Sequence, residues 1–523
     1  MILQVLSAKR AAAVALFLFC AVCEAQTAKS FMVAAAHPQA VEAGYQVLKR
    51  GGSAVDAAIA VQMVLGLVEP ESSGIGGGVF FLHWSEKGRK LRSYDGRETA
   101  PAAVSADLLL DSNKKPLEFM DAAISGRSVG VPGVLRMLEL AHKRHGKLPW
   151  AELFDPAIAL AEQGFAASPR LRTLMERERF QMPLKSPEYA ATLRTIARHG
   201  ADAFYRGALT ADIVRAVRTH AKPGELAAQD FADYRALERE PVCGTYRAWR
   251  ICSMGPPSSG GVAVLQILGI LERTDFARAP PQSAAAVHYF AEAGRLAFAD
   301  RAKYLGDPDF VSVPTADLLG NRYLEKRAKL IGEKSMRLAP AGDPEAFGTS
   351  HVSIVDASGD AVSMTTTIEA TFGSRIVVRG FLLNNQLTDF DFAPGTPNEV
   401  APRKRPRSSM APTMVFSGER LDLVIGSPGG PNIINYVAKA LVGALDWKMD
   451  IQSAVALPNF GSRNGPTLLE KDSSYEAFRG ELEKRNHSIE ILQLTSGLHG
   501  IERVPGGWRG GADPRREGQA RGD

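Results

Sequence analysis

A chain of 523 residues with 45% hydrophobic and 23% charged residues has the composition of a soluble globular protein, long enough for one large or several ordinary domains. Its formal net charge of +5 is mild, and without a basic stripe interleaved with aromatics it carries no footprint for nucleic acid. Much of the excess sits near the C-terminus, in Arg503, Arg509, Arg515, Arg516 and Arg521, which reads as a solvated tail.

The first residues have the form of an export signal. Lys9 and Arg10 precede the apolar run Ala11 to Val22, which matches a signal-peptide core and is too short to span a bilayer as a helix. Small residues Cys23 and Ala25 stand at the −3 and −1 positions of a cut before Gln26. Residues 1–25 are therefore expected to leave. The mature protein is expected to be soluble, exported and periplasmic, with no membrane span. Ser53 followed by Asp56 forms a capping-box pattern, and Ala57 to Val68 supplies the helix body. Next comes SGIGGG at Ser73–Gly78, then a strand from Val79 to Trp84 and a second running to Asp95. Residues 134–165 and 286–304 read as amphipathic helices, and no repeat of 20–50 residues is present.

Between these helices and the strands, Gly126-Arg127-Ser128-Val129-Gly130 fits G-x-S-x-G, the nucleophile elbow of serine α/β-hydrolases. The motif needs a strong apolar strand before it and a helix directly after, whereas Pro132-Gly133 interrupts the segment where that helix would start. Cys243 and Cys252 lie in VCGTYRAWRIC, which reads as a β-hairpin. In an oxidising compartment they either close a cross-hairpin disulfide or remain two reduced, partly buried thiols. Without nearby histidines they do not complete a metal shell. His142 and His145 are spaced i, i+3 without a third ligand and read as helix surface. Arg521-Gly522-Asp523 is read as a chance tripeptide.

Residues 333–348 are rich in Pro, Gly and Ala and read as an exposed loop. The segment after it is the most informative in the chain. Thr349 to Asp356 and Asp360 to Ile368 alternate apolar and polar around Ala357-Ser358-Gly359, a hairpin signature. Pairing Asp356 with Asp360 places Thr349 opposite Thr367. One face then carries Val352, Ile354, Val362, Met364 and Ile368, and the other Thr349, His351, Ser353, Ser363, Thr365, Thr367 and Glu369.

Nine segments in order carry a family resemblance: SGIGGG (73–78), DGRETAP (95–101), MGPPSSGG (254–261), ADRAKYLGDPDF (299–310), TSHVSIVD (349–356), NNQLTDF (384–390), KRPRSSMAPT (404–413), GSPGG (426–430) and GADPRR (511–516). Along nearly all of residues 32–518 the chain resembles the γ-glutamyltranspeptidases. The resemblance implies an α+β, four-layer αββα sandwich of the N-terminal-nucleophile hydrolase kind. It implies a precursor that cuts its own Gly348–Thr349 bond into a large chain (26–348) and a small chain (349–523), which stay together as a heterodimer. Thr349 is then the nucleophile, with its freed α-amine as base, and Thr367 orients it. Arg97, Ser408 and Ser409 are expected on the substrate α-carboxylate, Asp389 with Gln386 and Glu369 on the α-ammonium, and the Gly429 and Gly430 N–H groups at the oxyanion.

The implied substrates are small γ-glutamyl donors such as glutathione, with water, amino acids or dipeptides as acceptors, and neither cofactor nor metal. Glu369 stands where many members have Asn, as in the Bacillus-type branch, and Ser350 follows the nucleophile where Thr is usual. The short stretch between Phe390 and Lys404 lacks the insertion that forms a lid in other bacterial members. The competing readings are a cephalosporin or glutaryl acylase of the same fold, a serine α/β-hydrolase using Ser128, and a non-catalytic exported binding protein.

Overall fold

The computed structural model describes residues 25–337 and 347–523. The expected export signal up to residue 24, with Cys20 and Cys23, lies outside the described residues, as does most of the expected loop, 338–346. Two seven-stranded sheets form the centre. In the first, the strand order is Gln519–Gly522, Met32–Ala35, Phe347–Val355, Ala361–Ala370, Gly78–Ser85, Lys90–Gly96, Leu237–Arg239. In the second it is Gln26–Ala28, Gly507–Ala512, His499–Val504, Arg420–Gly426, Thr413–Ser417, Trp249–Ser253, Val242–Tyr246. Neighbouring strands in both sheets are antiparallel.

The sheets pack face to face through Met32, Leu82, Trp84 and Val355 of the first and Met414, Phe416, Val424 and Trp508 of the second. Trp84 meets Phe416 edge-on with ring centroids 4.8 Å apart. Helices Pro38–Lys49, Ala54–Val68 and Val134–His145 cover the outer face of the first sheet. Helices Gly260–Leu271, Ala284–Tyr304 and Ile433–Leu445 cover that of the second. This is the expected four-layer αββα sandwich, each sheet burying both faces.

The capping box forms as read: Ser53 Oγ accepts the Asp56 N–H at 3.1 Å, and Asp56 Oδ2 accepts the Ser53 N–H at 2.9 Å. The same carboxylate oxygen also accepts the Lys147 and Leu148 N–H groups, at 2.9 and 3.0 Å. That contact explains a correction. Residues 134–165 are not one helix: Val134–His145 stops at Gly146, Trp150–Phe154 is a 3-10 turn after Pro149, and Asp155–Gln163 is a second helix. Residues 286–304 do form one helix, Ala284–Tyr304.

One further reading is corrected. The C-terminus is no solvated tail. It supplies a strand to the first sheet and two to the second, and Arg515 pairs with Glu470 and Asp513 at 2.6 and 3.0 Å. The final Asp523 accepts the Ser30 N–H at 2.8 Å. The polar face of the central hairpin is buried against the second sheet. His351 bonds Thr365 Oγ1 at 2.9 Å and Ser353 Oγ at 3.1 Å, while Ser363 Oγ donates to the Ile425 carbonyl at 3.2 Å. These buried hydroxyls persist because they find partners, within the hairpin or across the sheet interface. Cys243 and Cys252 face each other in the hairpin, joined by a disulfide with S–S 2.08 Å.

Candidate active site

The predicted hairpin register holds. Asp356 N–H donates to the Asp360 carbonyl at 2.9 Å, and Thr349 pairs with Thr367. Their hydroxyl oxygens lie 3.3 Å apart. Beyond this pair the ladder shifts: Gly348 pairs with Glu369, so Ile368 has no opposite residue. Glu369 adopts φ 80°, a left-handed conformation uncommon outside glycine. This β-bulge lies across from the Gly348–Thr349 bond. It also turns the Glu369 N–H onto Thr367 Oγ1, at 2.8 Å. Contrary to the loop reading, the strand Phe347–Val355 begins before Thr349.

SGIGGG sits directly beneath. A Cβ on Gly77 would lie 2.0 Å from the Thr367 carbonyl oxygen, so only glycine allows the backbone this close. Asn384 fixes the neighbouring loop: its Nδ2 donates to the Gly76 and Gly130 carbonyls at 2.8 and 3.0 Å, and its Oδ1 accepts the Gln386 N–H at 2.9 Å. Asn385 Nδ2 donates to the Glu369 carboxylate.

Arg97, Glu369, Gln386, Asp389, Ser408, Ser409 and Gly430 line one cavity with Thr349 and Thr367. Gly429 is its neighbour in the chain. Gly429 and Gly430 have φ 130° and 54°, which glycine tolerates and side-chain-bearing residues resist. Arg97, at the end of strand Lys90–Gly96, is fully buried. Its guanidinium donates to the Asp389 carboxylate and to the Pro406 and Arg407 carbonyls, the latter two at 3.1 and 3.2 Å. The two opposite charges expected at the ends of a glutamyl group are therefore bonded to each other. Gln386 Nε2 also reaches Asp389, at 2.7 Å. Behind Arg97, burial raises the Glu98 carboxyl to about 8.

The stretch between Phe390 and Lys404 folds on itself. Asp391 N–H donates to the Asn398 carbonyl at 3.0 Å, and Lys404 Nζ to those of Pro397 and Glu399 at 3.0 and 2.9 Å.

Three site residues escaped the sequence reading. Arg516 Nη1 donates to the Thr349 carbonyl at 3.1 Å. Glu69 Oε2 accepts the Ser350 hydroxyl at 2.6 Å. Arg301 lines the cavity, and burial and nearby Arg407 lower its guanidinium to about 9, which leaves it charged at neutral pH. Arg301 and Arg516 stand inside family motifs, so the motifs were visible, but nothing local assigned them a partner.

The elbow reading fails. Ser128 is buried in a 3-10 turn and its hydroxyl donates to the Ala123 and Ser125 carbonyls at 2.8 and 2.9 Å. His142 contacts the Leu148 carbonyl at 2.9 Å and His145 the Tyr94 hydroxyl at 2.6 Å. One buried group not foreseen, His288, Glu292 and His487, brings potential metal ligands together among the described residues.

An αββα sandwich with a strand-borne threonine hydroxyl in a polar cavity between its sheets is the architecture of the N-terminal-nucleophile hydrolases. Within that class, the Gamma-glutamyltranspeptidase family profile matches residues 40–523, and the chain belongs to that family. It is 35% identical over 537 residues to a glutathione hydrolase proenzyme of Bacillus subtilis (strain 168), covering 94% of this chain and 91% of the relative. It is 35% identical over 515 residues to the acylase ACY 1 proenzyme of Pseudomonas sp. (strain SE83), covering 92% and 91%. The solved cephalosporin acylase from Bacillus halodurans superposes with TM-score 0.86 at 28% identity, covering 96% of this chain and 97% of that one.

Proposed function

We propose that the chain is a self-cleaving γ-glutamyltranspeptidase and glutathione hydrolase with Thr349 as nucleophile. The observation that carries the reading is the Thr349–Thr367 hydroxyl pair opening into a cavity that holds both signs of charge, Arg97 against Asp389 and Glu369. In the precursor Thr349 Oγ1 attacks the Gly348 carbonyl. An N-to-O acyl shift gives an ester, and water resolves it to leave the Gly348 carboxylate and a free Thr349 α-amine. The bulge supports this step, because it interrupts the ladder at the bond to be cut.

In the mature enzyme the α-amine takes the Thr349 hydroxyl proton as Oγ1 attacks the γ-carbonyl of the donor. An unperturbed α-amine has a pKa of roughly 7.7–8.0, so part of it is free near neutrality. Gly429 and Gly430 N–H groups stabilise the oxyanion. The tetrahedral intermediate expels the donor amine, which takes a proton. The γ-glutamyl ester then passes to water or to an acceptor amine. Large chain 26–348 and small chain 349–523 form the heterodimer, and residues 1–25 direct export and are then removed. No helix among the described residues is long and apolar enough to cross a membrane.

The acylase relatives favour a second reading, a glutaryl acylase with the same nucleophile. A glutaryl group lacks the α-ammonium, so it leaves Asp389 and Glu369 without a function that the γ-glutamyl reading gives them. The test is release of p-nitroaniline from γ-glutamyl-p-nitroanilide, with and without glycylglycine, beside denaturing electrophoresis. Wild type should run as two chains and turn over. Thr349→Ala should run as one chain and be inactive. Turnover by an uncut Thr349→Ala protein would sink the mechanism, and an uncut, inactive wild type would favour a binding protein.

A further inference from the structure

Two family motifs, MGPPSSGG and ADRAKYLGDPDF, supply neither the nucleophile, nor its base, nor the oxyanion donors, yet the second lines the cavity through Arg301 and the first bonds that arginine through Ser259. Helix Ala284–Tyr304 delivers Arg301 at its last turn. Its guanidinium forks: Nε donates to Ser259 Oγ at 2.8 Å and Nη2 to Ser409 Oγ at 2.9 Å. Ser259 passes the contact on, its hydroxyl donating to the Ser408 carbonyl at 2.5 Å and its N–H to the same oxygen at 2.8 Å. Ser408 Oγ in turn accepts the Met410 N–H at 3.1 Å. Residues 257–259 thus run beside Ser408 as a bridge between the two expected chains.

Hydrogen-bond polarity has a consequence here. A hydroxyl that accepts an N–H keeps its own proton for another direction. Ser409 accepts from Arg301 and Ser408 from Met410, so each has its O–H left to donate elsewhere, and both line the cavity. Arg301 adds charge as well as polarity. Among the described residues no carboxylate lies within ion-pair distance of it, since Asp300 pairs with Arg327 and Asp391 with Arg407. Arg97, by contrast, already bonds Asp389.

We infer that Arg301 is a positioning and specificity-determining residue: it turns Ser409, and through Ser259 the Ser408 backbone, into a donor edge for an acyl donor's carboxylate. It thereby makes the enzyme prefer donors with a free α-carboxylate over those without one. This rests on the acyl-donor reading of the cavity.

The test compares three p-nitroanilides. γ-Glutamyl carries both head groups, glutaryl lacks the α-ammonium, and 4-aminobutyryl lacks the α-carboxylate. Arg301→Gln should raise KM roughly ten- to a hundredfold for the first two, with kcat within a few-fold, and leave 4-aminobutyryl kinetics unchanged. Arg301→Lys, which restores charge without the fork, should recover part of the loss. Ser259→Ala keeps the guanidinium but removes one arm, and should give the same donor pattern at a few-fold scale, also if Arg301→Gln does not fold. Equal losses on all three donors, or an unchanged KM for the carboxylate-bearing two, would overturn the inference while leaving the Thr349 mechanism standing. A self-cleaved wild type that turns over none of the three would overturn both.

Discussion

Arg516 and Thr367 hold Thr349, the proposed nucleophile, from two sides. The guanidinium fixes the Thr349 carbonyl, and the hydroxyl meets Oγ1. A hydrogen bond to a charged group contributes about 1.5–3 kcal/mol, so losing the alignment that Arg516 supplies corresponds to roughly ten- to a hundredfold in rate. Arg516→Gln should therefore lower kcat for γ-glutamyl-p-nitroanilide by that factor with KM little changed; an unaltered kcat in cleaved protein would show that the carbonyl needs no holding. At this scale the sequence was legible where contacts are local. Thr349 and Thr367 could be paired because a turn only a few residues long fixes their register. Arg301 could not be connected to Ser409, 108 residues away, nor Arg516 to Thr349, 167 residues away. Those contacts exist only once the two sheets are stacked.

Among the elements, those set by short-range pattern were read well: the capped helix Ala54–Val68, the hairpin strands and the helix Ala284–Tyr304. The breaks were not. Helix Val134–His145 ends where Asp56, from another helix, captures the Lys147 and Leu148 N–H groups, and no periodicity encodes that. The C-terminal strands were misread for a related reason. Their arginines look like solvated charge until Glu470, Asp513 and the Thr349 carbonyl come into reach. One element suits a direct stability test. The Cys243–Cys252 disulfide spans a sequence separation of 9, and closing a loop of that size stabilises by about 2–3 kcal/mol in the chain-entropy model. The paired Cys243→Ser and Cys252→Ser substitutions should lower the urea midpoint accordingly and leave kcat/KM intact, because the hairpin lies at the sheet edge, away from Thr349.

Across the whole molecule, burial of neutral histidines sets an acid limit. His351 is held well below its ordinary value, chiefly by burial, and His499 falls to about 4 for the same reason. His83 and His487 are each lowered to about 3 by burial and by a neighbouring histidine. The unfolded chain binds protons at these positions from about pH 6.5 downward while the folded state refuses them. Each such histidine therefore removes about 1.4 kcal/mol of stability per pH unit as pH falls from about 6.5 toward the folded value. Glu71 and Glu98, raised by burial to about 7 and about 8, act with the opposite sign, contributing stability that fades as pH rises through those values. His499→Gln should gain on wild type in calorimetric melting between pH 6.5 and 4.5. A constant difference across that range would place the acid limit elsewhere.

Strand order also decides how the cut enzyme holds together. Strands of the expected large chain, Gln26–Ala28, Met32–Ala35, Gly78–Ser85 and Trp249–Ser253, each pair with a strand from beyond Gly348. Met32–Ala35 is flanked by such strands on both sides. Once the proposed cut is made, the two polypeptides are interleaved partners in both seven-stranded sheets, and neither contains either of these two complete. The connectivity that guided assembly is then gone. Denatured mature enzyme must find its register as two separate molecules, so recovery on removing denaturant should depend on protein concentration and fall far short of that of uncut Thr349→Ala. The persistence of the working enzyme is thus a matter of how slowly it comes apart.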